Sequence, residues 1–351
     1  MVKTLVLKVS PVQPEPEKIK IAAQTIRDGG LVAFPTETVY GLGANALDER
    51  AVLRIFQAKN RPTDNPLIVH IANKEDVYLL AETVPSKAEI LIDRFWPGPL
   101  TLLMPKSELV PAATTAGLAT VAIRMPSHPI ARALIAEADV PIAAPSANLA
   151  GRPSPTTAQH VWDDLSGKIE VLIDGGEVGF GVESTVLDLT ADPPTVLRPG
   201  PVTVGELRQI LGRVEVHPIA TAEIPAEAVI ARAPGMKYRH YAPSAEVVVV
   251  EGPLPRVVGK IQELWQEYQR EGKRVGIMAT EETAGEYQSA IVKVVGTRRN
   301  PRTVAKNLFQ TFRDFDREGV DVILAEGVEI SGIGLAIMNR LRKAAVRVIK
   351  V

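Results

Sequence analysis

Twice along this chain, apolar runs of strand length alternate with segments whose apolar residues recur at helical spacing, and a stretch with neither period separates the two series. Such alternation commits a chain to layered α/β structure, with helices packed on a sheet. The first series opens with a strand over 3–9 and a helix whose inner face is Ile19, Ala22, Ala23 and Ile26, stopped by Gly29-Gly30. A buried strand over 31–34 follows, then a helix capped by Asp48 with Val52, Ile55 and Phe56 turned inward. Further strands are expected over 67–71, 100–104, 121–124, 141–144, 171–173 and 185–189. Simple β-α order lapses after Trp96, so the expected sheet is mixed and twisted. The second series is more regular, with strands over 246–250, 274–278, 291–295, 320–325 and 346–349 and helices over 257–268, 283–290, 303–315 and 333–341. It reads as a smaller Rossmann-like α/β domain.

At 351 residues the chain exceeds one ordinary core. The break in periodicity divides it into residues 1–214, a connector over 215–243 and a second domain over 244–351. The connector ends in Pro234-Gly235-Met236-Lys237-Tyr238-Arg239-His240-Tyr241-Ala242-Pro243, richer in aromatics and cations than a passive linker. It reads either as a stiff surface hinge or as a segment that folds over a ligand.

Several kinds of chemistry are excluded. Cysteine is absent, which removes disulfides, thiolate nucleophiles and cysteine-based zinc sites. The five histidines show no helical metal-ligand spacing, and neither a phosphate-binding P-loop nor a Gly-x-Ser-x-Gly elbow occurs. The second domain lacks the glycine fingerprint of a nicotinamide site: Glu251-Gly252-Pro253 follows its first strand. A net charge of −1 does not make the whole chain an electrostatic binder of nucleic acid. No apolar run reaches the ~20 residues of a bilayer span, and the N-terminus lacks the apolar core of a secretory signal. A soluble, cytoplasmic protein without a metal-ligand cluster is expected. Chemistry by positioning and charge remains.

Four kinds of segment carry it. Lys59-Asn60-Arg61-Pro62 places two cations at a helix end, where they complement the helix dipole or, on a loop stiffened by Asn65-Pro66, hold a polyphosphate. Pro145-Ser146-Ala147-Asn148 and the run 152–157 with Ser154 set hydroxyls and amides after a strand and before a helix. They form a turn and cap, or an anion site at a sheet end. Arg124 and Arg198 each end a strand, the second just before Pro199-Gly200. Thr36-Glu37-Thr38-Val39-Tyr40-Gly41 follows a buried strand and offers hydroxyls to a small polar ligand or to its own turn.

Taken together, these segments resemble one family. Phe34-Pro35-Thr36-Glu37-Thr38-Val39-Tyr40-Gly41-Leu42, Lys59-Asn60-Arg61-Pro62 with Asn65-Pro66-Leu67, Trp96-Pro97-Gly98-Pro99-Leu100-Thr101, Pro145-Ser146-Ala147-Asn148 and Leu197-Arg198-Pro199-Gly200 resemble the YrdC-like domain, in order, over about residues 10–213. Lys237-Tyr238-Arg239-His240-Tyr241 and the second domain resemble the long form of the threonylcarbamoyl-AMP synthase family. The resemblance implies a nucleotidyltransferase that joins L-threonine, bicarbonate and ATP into threonylcarbamoyl-AMP and pyrophosphate, with Mg2+ accompanying ATP. The product serves tRNA modification through a downstream tRNA threonylcarbamoyl transferase complex.

The same resemblance implies site residues. Lys59 and Arg61 are the catalytic pair on the ATP phosphates, with Asn65, Thr120, Ser146, Asn148, Ser154, Arg198 and Tyr238 on the nucleotide. Thr36, His70, Arg124, Ala144 through its backbone, and Ser184 hold L-threonine. Tyr238, Arg239, His240 and Tyr241 form a lid. Ala150 departs from the family, which often has serine there. The rival reading is an RNA-binding module that uses the same basic groove without catalysis, and weak RNA binding is compatible with either. A hydrogenase-maturation carbamoyltransferase carries a related domain, but its zinc fingers need cysteine.

Overall fold

The computed structural model describes residues 2–222, 232, 236, 240–288 and 290–351. Two sheets organise the chain. The larger has 11 strands: β1 (Leu5–Lys8), β2 (Val32–Pro35), β3 (Tyr40–Asn45), β4 (Ile68–His70), β5 (Leu100–Pro105), β6 (Thr120–Arg124), β7 (Ile142–Ala143), β8 (Val171–Asp174), β9 (Thr185–Asp188), β10 (Thr195–Arg198) and β11 (Glu215–Val216). Their spatial order is β1-β8-β2-β3-β7-β4-β6-β5-β9-β10-β11, with parallel and antiparallel neighbours mixed, as the lapse in β-α order predicts. The smaller sheet joins β12 (Glu246–Glu251), β13 (Val275–Thr280), β14 (Ile291–Gly296), β15 (Val322–Glu326) and β16 (Arg347–Lys350) in the order β14-β13-β15-β12-β16, all parallel.

Local expectations translate directly where one element decides them. Asp48 caps the helix Glu49–Lys59 by accepting from the Arg50 and Ala51 amides, and Val52, Ile55 and Phe56 are buried beneath it. Ile19, Ala22, Ala23 and Ile26 are the buried face of the helix Pro16–Arg27. One expectation fails: among the described residues of 283–290 there is only a short turn, Ala284–Glu286, because the Tyr287 hydroxyl is drawn to buried Glu326, to which it donates at 2.7 Å. Strand β3 escapes sequence reading because Gly41 and Gly43 interrupt its apolar pattern.

Side chains alternate between sheet faces along each strand, and the two faces of the large sheet differ. On one, Tyr40, Leu42, Val69, Leu100, Leu102, Val121 and Ile123 share a single core with the helices Glu49–Lys59 and Ser86–Phe95. The other face is covered in two pieces. Val32, Phe34, Ile142 and Ala144 lie under the helices Pro16–Arg27 and Pro129–Ala138. Ile68, Leu103, Ala122, Val186 and Leu197 are covered by Ile219 and by Met236 of the connector. A cleft runs between these two coverings. Among the described residues, no helix is long and apolar enough to cross a membrane.

Candidate active site

Four strands bring one wall of the cleft together. In the register of β4 and β6, His70 lies beside Arg124, so two side chains 54 positions apart become neighbours on one face. Arg124 is 3% exposed and is pinned from three sides. Its Nη2 lies 2.7 Å from Glu37 Oε1, its Nη1 donates to Thr38 Oγ1 at 3.1 Å, and its Nε donates to the Gly98 carbonyl at 3.3 Å. Thr36 Oγ1 sits 2.8 Å from Thr38 Oγ1, which ties the 36–39 turn to the same arginine. His70 is buried and its pKa falls to about 3, first through burial and then through the adjacent Arg124 charge. The ring is neutral at ordinary pH.

Beyond β5, the residue just before β9 and the last residue of β10 add Ser184 and Arg198. Arg198 donates to the Ser184 carbonyl through Nε and to Ser184 Oγ through Nη2, both at 3.0 Å, while Ser184 Oγ lies 2.8 Å from Thr101 Oγ1. Burial lowers the Arg198 pKa to about 10, with Arg340 and Arg124 adding repulsion against the opposing pull of Tyr241 and Glu183. Gly200 makes this approach feasible: a Cβ there would lie 2.4 Å from the Thr185 amide nitrogen and 2.6 Å from the Glu183 carbonyl. Thr36, His70, Arg124, Ala144, Ser184 and Arg198 line one continuous cavity with Ser146, Glu183, Arg61, His240 and Tyr241.

A second cavity adjoins it, lined by Lys59, Arg61, Asn65, Ser146, Asn148, Ser154, His240 and Tyr241. Asn60 ends the helix Glu49–Lys59 in a left-handed conformation, φ 52°, which separates the directions of Lys59 and Arg61. Arg61 faces both cavities. Lys59 differs from expectation. It is 1% exposed, and its ammonium donates to the carbonyls of Ser146 and Asn148, holding the Pro145–Asn148 turn from below. Burial, and then repulsion from Arg61, hold its pKa well below the usual lysine range. Its first task is therefore to shape the turn, leaving at most one of three donors for a phosphate. The amide oxygens of Asn65 and Asn148 are buried without a hydrogen-bond partner, in side chains that line this cavity.

Two placements stand apart from the expected arrangement. Thr120 is apart from the others: it opens β6, four residues before Arg124, which is ~13 Å along a strand. Ala122, covered by Met236, lies between them, and Thr120 lines neither cavity. The cleft also lies across the sheet face, at alternate positions such as Ile68 and His70, and not only at strand ends. Of the lid residues, His240 and Tyr241 line both cavities, whereas Tyr238 and Arg239 fall outside the described residues. Glu183 is a functional candidate that the sequence leaves unassigned, although it directly precedes Ser184. Ser154 Oγ donates to Glu183 Oε1, and Arg340 of the second domain binds Glu183 Oε2 at 3.0 Å.

Fold and cleft together define a two-domain α/β protein with a cationic, hydroxyl-lined ligand site on the face of its mixed sheet. A family model for Sua5, YciO and YrdC proteins, described as telomere recombination, matches residues 24–200, and the threonylcarbamoyl-AMP synthase C-terminal domain matches residues 202–346. The threonylcarbamoyl-AMP synthase of Pyrococcus abyssi is 58% identical over 335 residues, 95% of this chain and 96% of that protein. That of Bacillus subtilis is 51% identical over 329 residues, 93% of each. A crystal structure of P. abyssi Sua5 complexed with L-threonine superposes with a TM-score of 0.93 at 56% identity, covering 99% of both chains. The chain belongs to the threonylcarbamoyl-AMP synthase family, in its two-domain form.

Proposed function

We propose that the chain is a nucleotidyltransferase that converts ATP, L-threonine and bicarbonate into threonylcarbamoyl-AMP and pyrophosphate. The observation that carries this reading is the pair of adjoining cavities joined at Arg61, one walled by Thr36, His70, Arg124 and Ser184, the other by Ser146, Asn148 and Ser154. Relatives named for this activity, and a relative's structure holding L-threonine, supply the substrate class.

In this reading Arg124, preset by Glu37 and Thr38, takes the threonine carboxylate. Neutral His70 and the hydroxyls of Thr36 and Ser184 orient the rest of the amino acid. The threonine amine, once deprotonated, captures CO2 derived from bicarbonate as a carbamate. A carbamate oxygen then forms a bond to the α-phosphorus as the bond to the pyrophosphate oxygen breaks. No covalent protein intermediate is needed, so alignment and charge neutralisation supply the catalysis. Arg61 meets the negative charge where the cavities join, and Arg198, holding Ser184, keeps the two sides in register.

Mg2+ fits as an ion carried by the phosphates. The described residues gather no group of three acidic or histidine ligands, while the unpartnered amide oxygens of Asn65 and Asn148 would ligate Mg2+ or accept hydrogen bonds from its waters. When bound it neutralises phosphate oxygens. His240 and Tyr241 cover the cleft and exclude water from a labile anhydride.

The test is pyrophosphate release measured with threonine and bicarbonate omitted in turn. The reading expects release only with both present. Release that ignores threonine refutes it, and RNA binding without ATP consumption favours the non-catalytic alternative.

A further inference from the structure

The second domain reaches the wall of the cleft through Arg340. Arg340 lies on the helix Gly334–Ala344 and is 0% exposed. Its Nε and Nη2 both donate to Glu183 Oε2 at 3.0 Å, and Nη1 donates to the Pro199 carbonyl at 2.5 Å. Its guanidinium also lies 5.6 Å from the centre of the Tyr241 ring. These contacts are placed where they matter. Glu183 directly precedes Ser184, and Pro199 directly follows Arg198, so one planar fork grips both segments that meet at the Arg198–Ser184 hydrogen bonds. The other oxygen of Glu183 accepts from Ser154, which lines the nucleotide cavity. Glu183 itself lines the threonine-side cavity. A contact serving only to hold two domains together has no need of a cleft wall. The exposed pair Lys306–Glu177, at 3.4 Å, joins the domains without touching the site.

We propose that Arg340 is a positioning residue for the reaction: through Glu183 and the Pro199 carbonyl it fixes Ser184, Arg198 and Ser154 at once, so the second domain completes the catalytic site. The inference rests on the function proposed above. It also explains why the catalytic-domain turn at Gly181 packs tightly on the second domain. A Cβ at Gly181, φ 75°, would lie 2.3 Å from the Lys306 carbonyl, so glycine keeps the domains close enough for Arg340 to reach.

Full-length Arg340→Met, Arg340→Lys, Glu183→Gln and Lys306→Ala would be compared with the parent chain by threonine-dependent pyrophosphate release, calorimetric affinity for L-threonine, and thermal melting. Arg340→Met is expected to lower kcat/KM for threonine on the order of 10²-fold, since small misplacements of a site cost that much. Arg340→Lys, which keeps the charge but grips one segment, should fall between. Glu183→Gln should raise KM for both threonine and ATP, and Lys306→Ala should change none of the constants. If Arg340→Met does not fold, Arg340→Lys and Glu183→Gln carry the test. Folded Arg340 and Glu183 variants within twofold of the parent overturn the proposal, as does an equal loss in Lys306→Ala. A parent chain without threonine-dependent release refutes the function itself, and this inference with it; an active parent matched by its variants refutes this inference alone.

Discussion

Glu183 of the first domain and Glu326 of the second are both buried against an arginine, and the surroundings of these two carboxylates differ. Glu326 ends β15 and accepts from the hydroxyls of Thr280, Thr283 and Tyr287, from the Thr280 amide and from Arg298, all within the second domain. Glu183 accepts from Ser154 on one oxygen and from Arg340 of the other domain on the second, and it borders a cavity. Burial alone would raise its pKa, but Arg340, Arg198 and the Ser154 hydroxyl hold the carboxyl below the usual range. Both glutamates are satisfied. One ties a domain to itself, while the other couples segments from two domains at the place where ligands are expected.

That comparison can be broken by removing each carboxylate. Glu326→Ala leaves Arg298 and several donors without their acceptor and is expected to cost about 3–5 kcal/mol in urea unfolding, with turnover per folded molecule unchanged. Glu183→Ala should show a similar stability loss together with loss of turnover. Equal turnover in the two variants would erase the distinction. Arg61→Ala sharpens it from the opposite side. Arg61 is only partly buried, so its removal should lower pyrophosphate release about 10²-fold, or about 2.7 kcal/mol, with little change in melting temperature.

The smallest effect concerns pH. Unfolded His70 takes up a proton near pH 6.5, whereas the folded ring resists until about pH 3. Between those values the unfolded state binds more protons, so stability is lost as pH falls, by at most about 1.4 kcal/mol per pH unit. Unfolding free energies of His70→Gln between pH 6 and 4 should show a shallower slope than the parent chain. An unchanged slope would mean that His70 is charged in the folded state.

Much of this architecture was legible in the sequence because single elements encode it. The Asp48 cap, the inner face at Val52, Ile55 and Phe56, and the regular second domain all follow from spacing within one segment. The charged turns were visible for the same reason: Arg61, Arg124 and Arg198 each punctuate an element. What spacing does not reveal is which distant segment a side chain meets. Lys59 reads as a surface cation at a helix end, yet the Pro145–Asn148 turn passes over it and takes its protons into hydrogen bonds with two carbonyls. Thr120 shares a face with Arg124, but Met236 comes from more than 100 residues away to cover Ala122 between them. Arg340 sits next to Leu341 and reads as the polar edge of a helix until the first domain is packed against it.

A crystal structure of the full chain with L-threonine and a non-hydrolysable ATP analogue tests the central claim most directly. The account predicts the threonine carboxylate on Arg124, between Thr36, His70 and Ser184, and the phosphates beside Arg61 over the Ser146–Asn148 turn. Ligands bound in separate places, with Arg61 reaching neither, would contradict it.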